Sequence, residues 1–280
     1  MYRKVFANKM FERKVVLITG GCAGIGRALA QRFAQAGARL VILDLEQEAL
    51  DSLVQHLSSH HNVEALGMCC DIADAERVEQ CVNQAIEQFG GIDVLINNAG
   101  VTHRSLFADT TREVFKRVMA INYFGPVHCT QAALPSLIER HGQIIVMSSL
   151  SGFSPLLYRR AYNASQHALQ GMSETLRCEL QGSGVGVMLV CPGFTATDLR
   201  KNALIGDASI SAQPPLSMGK VASPQEVAEA IYRAAIKRKR LLVMSNVDWR
   251  ARLLARYFPR LFEKVLLPRM SGVRRNASGS

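Results

Sequence analysis

No uninterrupted apolar run among the 280 residues reaches the roughly 18–20 needed to cross a bilayer as a helix. The opening stretch MYRKVFANKMFERK lacks the apolar segment of a secretory signal, so a cytoplasmic location is expected. The seven cysteines, at 22, 69, 70, 81, 129, 178 and 191, form no C-x-x-C pair and no Cys/His metal spacing. An odd number without a framework suits a reducing compartment, and no metal is expected. Low-complexity runs are absent, as is the interleaving of aromatic and basic residues that stacks on nucleic acid, so no nucleic-acid partner is expected. Acidic residues are scarce in one place only. Residues 237–280 hold twelve Lys/Arg against two acids, whereas 1–236 hold twenty-one of each sign, so the net charge of +10 belongs to the C-terminal tail.

What is present is an alternation. Val15–Ile18, Leu40–Leu43, Ala65–Met68, Val94–Ile96, Gln143–Val146, Gly186–Val190 and Leu241–Met244 read as short apolar strands. Helical periodicities fill the intervals, at about 25–36, 46–58, 74–89, 111–138, 161–182 and 224–236. Continuous apolar strands separated by helices predict an α/β fold, a doubly wound sheet of about seven parallel strands covered on both faces. The expected organisation is an N-terminal extension over 1–13, one α/β domain over 14–245, a basic helical extension over 246–270 and a disordered tail over 271–280.

Thr19-Gly20-Gly21-Cys22-Ala23-Gly24-Ile25-Gly26 lies between the first strand and the first helix. Glycines there allow a tight turn and bring backbone N–H groups close to a pyrophosphate, and the helix N-terminus adds partial positive charge. Asp44 ends the second strand, eighteen residues past Gly26. A carboxylate in that place accepts hydrogen bonds from a ribose diol and repels a 2′-phosphate, which favours NAD(H) over NADP(H); a plain helix cap is the alternative.

With these motifs in order, the chain over about 14–245 resembles the short-chain dehydrogenase/reductase family, a Rossmann-type fold. The T-G-x-x-x-G-x-G spacing matches its glycine motif, and Asn97-Asn98-Ala99-Gly100 its N-N-A-G signature. The resemblance implies that Asp71 meets the adenine ring and that Asn122 is the catalytic-site asparagine. It also implies that Pro192-Gly193 with Thr195 and Thr197 holds the nicotinamide carboxamide. Ser149 and Tyr162 match the family's serine and tyrosine. Such a pair suits hydride exchange between nicotinamide and a carbonyl carbon, because a proton must reach or leave the oxygen. A homodimer or homotetramer built on the helices near 111–138 and 161–182 is implied as well.

One position departs. The family pattern Tyr-x-x-x-Lys is here Tyr162-Asn163-Ala164-Ser165-Gln166. Gln166 can keep hydrogen bonds to ribose hydroxyls but carries no charge. A unit charge about 4 Å away at an effective dielectric of about 20 is worth roughly 4 kcal/mol, so its loss weakens the phenolate needed for alcohol oxidation most. Arg159 and Arg160 are either substitute charges or a solvated rim. Two functions follow: an NAD(H)-dependent alcohol dehydrogenase/ketoreductase weakened by Gln166, or a catalytically silent dinucleotide-binding sensor or scaffold.

His103, Phe153 and Leu157 are candidate pocket residues, and the apolar stretch through Leu156 points to a bulky, lipid-like substrate. Asp198–Ser223, rich in Ala, Ser, Gly and Pro, matches the family's mobile lid. Trp249–Leu267 reads as an amphipathic helix bent at Pro259, with Arg252, Arg256, Arg260 and Lys264 on its polar side. It fits peripheral contact with an anionic inner membrane surface or packing on the body, and the pattern leaves both open.

Overall fold

The computed structural model describes residues 10–193, 195–196, 203–209, 221–244 and 253–266. The expected lid residues 198–202 and 210–220, along with Thr197, Trp249, Arg252 and the proposed disordered tail, lie outside them.

Seven strands form one parallel sheet in the order β3-β2-β1-β4-β5-β6-β7. They are β1 (Val15–Thr19), β2 (Arg39–Asp44), β3 (Ala65–Cys69), β4 (Val94–Asn97), β5 (Gln143–Met147), β6 (Gly186–Cys191) and β7 (Leu241–Val243). The helices are α1 (Gly24–Ala34), α2 (Gln47–His61), α3 (Ala75–Phe89), α4 (Arg112–Met119), α5 (Gly125–Glu139), α6 (Arg160–Glu179) and α7 (Pro224–Ile236).

The sheet is apolar throughout because both of its faces are covered. Val16, Ile18, Leu40 and Ile42 point into a core shared with Leu29 and Phe33 of α1, Leu50, Leu53 and Leu57 of α2, and Ile231 and Tyr232 of α7. Their neighbours Val15, Leu17, Val41 and Leu43 face the other core, with Val78 and Val82 of α3, Ala133 of α5 and Leu169 of α6. Phe11, from the stretch preceding β1, is buried against Phe33 and Tyr232, with ring centroids 5.0 and 5.4 Å away.

The chain enters at the centre, winds out to β3, and returns to place β4 beside β1. At that reversal successive crossovers lie on opposite faces, which opens a crevice at the carboxyl ends of β1 and β4. The single helix expected over 111–138 is divided. Between α4 and α5 lies a π-helical turn, Ala120–Phe124, closed by the Gly125 N–H on the Ala120 carbonyl. Pro126 stands four residues after Asn122 and has no N–H to donate to its carbonyl, so the regular ladder fails at this point.

Candidate active site

The glycine turn after β1 is shaped by close backbone approach. A Cβ on Gly26 would lie 2.0 Å from the Gly20 carbonyl oxygen and 2.6 Å from Asn98 Nδ2. Gly20 has φ +64° and runs against Ala99, to whose Cα a Cβ would come within 2.9 Å. Asn98 stitches the two strand ends together: its Nδ2 donates to the carbonyls of Thr19 and Gly20, both at 2.9 Å. The Asn98 and Ala99 N–H groups both donate to Thr19 Oγ1 at 3.0 Å.

Helix α1 then starts with no side-chain cap and no acid in its first turn, which leaves its N-terminal N–H groups for an anion. Ile25 anchors that turn against the core beneath it. Asp44 accepts the Cys22 N–H on Oδ2 and the Leu45 N–H on Oδ1, each at 2.8 Å. Each carboxylate oxygen retains a further acceptor direction for a ribose hydroxyl. Burial and the Asp44 carboxylate push the Cys22 thiol up to about 12, so Cys22 serves the turn through its backbone N–H rather than as a thiolate. Asp71, exposed beyond β3, accepts the Ala73 N–H at 2.9 Å. These features fit a dinucleotide: a cradle that side chains would fill, an open helix terminus, and a carboxylate at the strand end.

A second group of residues gathers at the same edge of the sheet. Asn122, buried in the π turn, donates from Nδ2 to the Val101 carbonyl and accepts the Val101 N–H on Oδ1, both at 2.8 Å. Gly100 lies directly above, where a Cβ would sit 3.3 Å from Asn122 Oδ1. The same Nδ2 donates to Ser165 Oγ at 3.1 Å, and that hydroxyl donates to the Tyr162 carbonyl at 2.8 Å. Asn122 is thereby tied to the turn of α6 that bears Tyr162. Ser149 heads a short 3-10 turn, Leu150–Gly152, and its Oγ accepts the Ser151 N–H at 3.3 Å. That turn packs on α6 so closely that a Cβ on Gly152 would lie 3.1 Å from the Gln166 carbonyl. The Gln166 side chain is buried, and its Oε1 has no hydrogen-bond partner. On the β6 side, Pro192 and Gly193 lead to Thr195, which donates to the Gly193 carbonyl at 3.1 Å and bridges to Ala222.

The family pattern of the short chain dehydrogenases matches residues 14–206. The chain belongs to that family. It is 37% identical over 269 residues to Dehydrogenase/reductase SDR family member 7B of Xenopus tropicalis, across 94% of this chain and 87% of the relative. Among solved structures it resembles a short chain dehydrogenase/reductase from Burkholderia phymatum in complex with NAD, with TM-score 0.78 and 27% identity. That match covers 87% of this chain and 93% of that one. It also resembles an alcohol dehydrogenase of Thermococcus sibiricus complexed with 5-hydroxy-NADP, with TM-score 0.71 and 25% identity, over 82% of this chain and 94% of that one. The family is one of oxidoreductases, and these two members are recorded with NAD in one case and a modified NADP in the other.

The surroundings of the short-chain dehydrogenase site hold several features that local sequence patterns did not reveal. Arg159, at the head of α6, donates from Nη1 to Thr102 Oγ1 at 3.0 Å, although 57 residues separate them. Arg160 turns elsewhere, to the Ser105 carbonyl at 2.6 Å and over the Phe107 ring at 5.5 Å. His103 is fully buried with neither ring nitrogen partnered. Burial, then Arg160 and Arg159, lower it to about 4, so it is neutral at physiological pH. Part of the expected mobile lid is pinned: Leu204 bridges to His103, and its N–H donates to the Thr102 carbonyl at 2.9 Å.

The tail bends at Phe258, between the helical residues 253–257 and the turn Pro259–Leu261. Phe262 is buried against Leu150, next in sequence to Ser149, and packs with half-buried Phe153 and Leu254. Leu157 is exposed, as are Leu253, Tyr257, Phe258 and Leu261 of the tail.

Proposed function

We propose that this protein is an NAD(H)-dependent oxidoreductase that interconverts a hydroxyl and a carbonyl on a bulky apolar substrate. The observation that carries the reading is the bonded unit Asn122–Ser165–Tyr162 beside the Ser149 turn, set at the same sheet edge as the glycine cradle. Bound NAD(H) supplies or accepts the hydride. The Tyr162 hydroxyl gives the proton to the substrate oxygen in reduction and takes it in oxidation. Ser149 donates a hydrogen bond to that oxygen as charge develops on it. Gln166, with its unpartnered buried carbonyl, is suited to accept a ribose hydroxyl. Phe153 and Leu157 form the substrate wall in this reading and Thr195 the carboxamide side, whereas His103, expected in the pocket, has no exposed surface to offer a substrate.

Asp44 favours NAD(H), since a 2′-phosphate would meet its carboxylate. Equal dissociation constants for NAD and NADP would overturn that preference, and Asp44→Ala is expected to narrow it by about tenfold or more. The docked tail, with exposed Arg256, Arg260 and Lys264 beside its exposed apolar residues, suits an anionic membrane surface from which a lipid-like substrate is drawn. A cytoplasmic protein peripheral to the inner face of a membrane fits that use. A homodimer or homotetramer built on the helices near 111–138 and 161–182 would cover exposed Phe124 of the π turn and Ile138 of α5.

The deciding experiment follows NADH consumption over a panel of apolar ketones with the unaltered protein, Tyr162→Phe and Gln166→Lys. Turnover that falls by at least about 10²-fold in Tyr162→Phe is the expected result. If NAD binds yet neither the unaltered protein nor Gln166→Lys turns over, the protein is a silent dinucleotide binder.

A further inference from the structure

We infer that Phe262 of the C-terminal tail is a positioning residue: packed on Leu150, it holds the turn headed by Ser149 and so fixes the direction of the Ser149 hydroxyl. The inference deepens the proposed function and rests on Ser149 as the donor to the substrate oxygen.

The turn has little of its own to hold it. Leu150–Gly152 is a single 3-10 turn of three residues. Hydrogen-bond geometry in such a turn is poor, so its order depends on what packs against it. The Gly152 and Phe153 N–H groups donate to the Ser149 and Leu150 carbonyls at 2.9 and 3.1 Å. Ser149 Oγ accepts the Ser151 N–H at 3.3 Å and donates to Ser151 Oγ at 3.5 Å. Both bonds lie within the turn, so the hydroxyl points where the turn directs it.

One support is α6, against which Gly152 packs. The other comes from the tail. Leu150 is buried yet belongs to neither core of the sheet; with Phe262, which is 1% exposed, it forms a small cluster of its own. Half-buried Phe153 joins that cluster to the core beside α6. Among the described residues of the tail Phe262 alone is buried, while Leu261 and Glu263 on either side of it are exposed.

The tail sequence explains the docking. Phe258 precedes Pro259 and leaves the helical region (φ −134°, ψ 60°), as the ring of a following proline requires. Pro259 then opens a new turn, in which the Leu261 and Phe262 N–H groups both donate to the Phe258 carbonyl at 3.0 Å. The bend turns Phe262 onto Leu150 and leaves Leu261 outside.

A donor misplaced by about 1 Å can cost about 10²-fold in rate. The bond from Ser149 strengthens as charge develops on the substrate oxygen, so a loosened Ser149 lowers kcat more than it raises KM.

The test uses the full-length protein and two readouts. Phe262→Ala is expected to lower kcat about tenfold on the best ketone of the panel, with KM and the NAD dissociation constant little changed. Phe262→Leu should recover most of the loss. Placed on Ser149→Ala, Phe262→Ala should cost less than about twofold in the residual turnover, because the donor it positions is gone. Hydrogen exchange, followed by mass spectrometry without cofactor, should be about tenfold faster at the Gly152, Phe153 and Ser154 amides and unchanged in the glycine turn after β1. Leu150→Ala removes the other half of the contact and should reproduce both effects, which keeps the test decisive if Phe262→Ala does not fold.

Unchanged exchange in the Ser149 turn overturns the inference. So does a rise in KM alone, which would make Phe262 a wall of the substrate pocket, or a full loss from Phe262→Ala on the Ser149→Ala background. If no protein turns over any ketone, the proposed function fails, and the exchange rates still decide whether Phe262 holds the turn.

Discussion

His103 sits at full burial with two unpaired ring nitrogens and two arginines opposing its protonation. A neutral imidazole tolerates this place and an imidazolium does not. Its folded-state value of about 4 lies below the ordinary 6.5, so between these limits the unfolded chain holds a proton that the folded chain lacks. Stability is therefore full above pH 6.5 and is lost as pH falls toward 4. Chemical denaturation should show a loss of up to about 2 kcal/mol between pH 7 and pH 5. His103→Asn should remove most of that slope, and an unchanged slope would show that other groups carry it. The places of Asp44 at the end of β2 and of Gly26 in the turn were legible in the sequence, because strand, turn and helix follow one another within a few residues. His103 was legible only as a neighbour of the site. It is bridged to Leu204, about a hundred residues away, and the charges that oppose its protonation come from Arg159 and Arg160 at the head of α6.

At the scale of elements, the glycine turn and α6 show opposite uses of the same residue. Gly26 has no room for a methyl group, since the Gly20 carbonyl would be 2.0 Å away, so Gly26→Ala must move the turn itself. Isothermal titration should find NAD affinity reduced by about 10²-fold or more, given that the cradle relies on close backbone approach. Gly171 lies inside α6 with nothing within 4 Å of a Cβ. There Gly171→Ala should stabilise the protein by about 0.4–1 kcal/mol and leave NAD binding unchanged. The π turn at Ala120–Phe124 was not expected from an unbroken apolar periodicity over 111–138. The sequence did carry one signal for it, Pro126 four residues after Asn122, but periodicity reports which face is apolar and not whether each carbonyl finds its donor.

Across the whole molecule, the described part of the tail packs some of its apolar residues on the body and leaves others exposed. Phe262 and Leu254 pack on Leu150 and Phe153, while Leu253, Tyr257, Phe258 and Leu261 remain exposed. The docked half sets the exposed half beside the Ser149 turn. The unaltered protein is expected to bind phosphatidylserine vesicles more weakly as salt rises. Replacing Arg256, Arg260 and Lys264 with glutamine should weaken binding by about tenfold or more, at roughly 1 kcal/mol per charge. Flotation assays that find the same binding in both proteins would remove the membrane from the account.

Local order in the chain was sufficient for the alternation of strands and helices, the glycine turn and the carboxylate at the end of β2. Each of these depends on backbone periodicity or on spacing within one crossover, which neighbouring residues specify by themselves. Tertiary structure alone decided which long side chain meets which partner: Arg159 with Thr102 rather than solvent, Arg160 with Phe107, and Phe262 with Leu150. Those choices are settled by desolvation and by packing between elements distant in sequence, and no local pattern encodes the competition among partners.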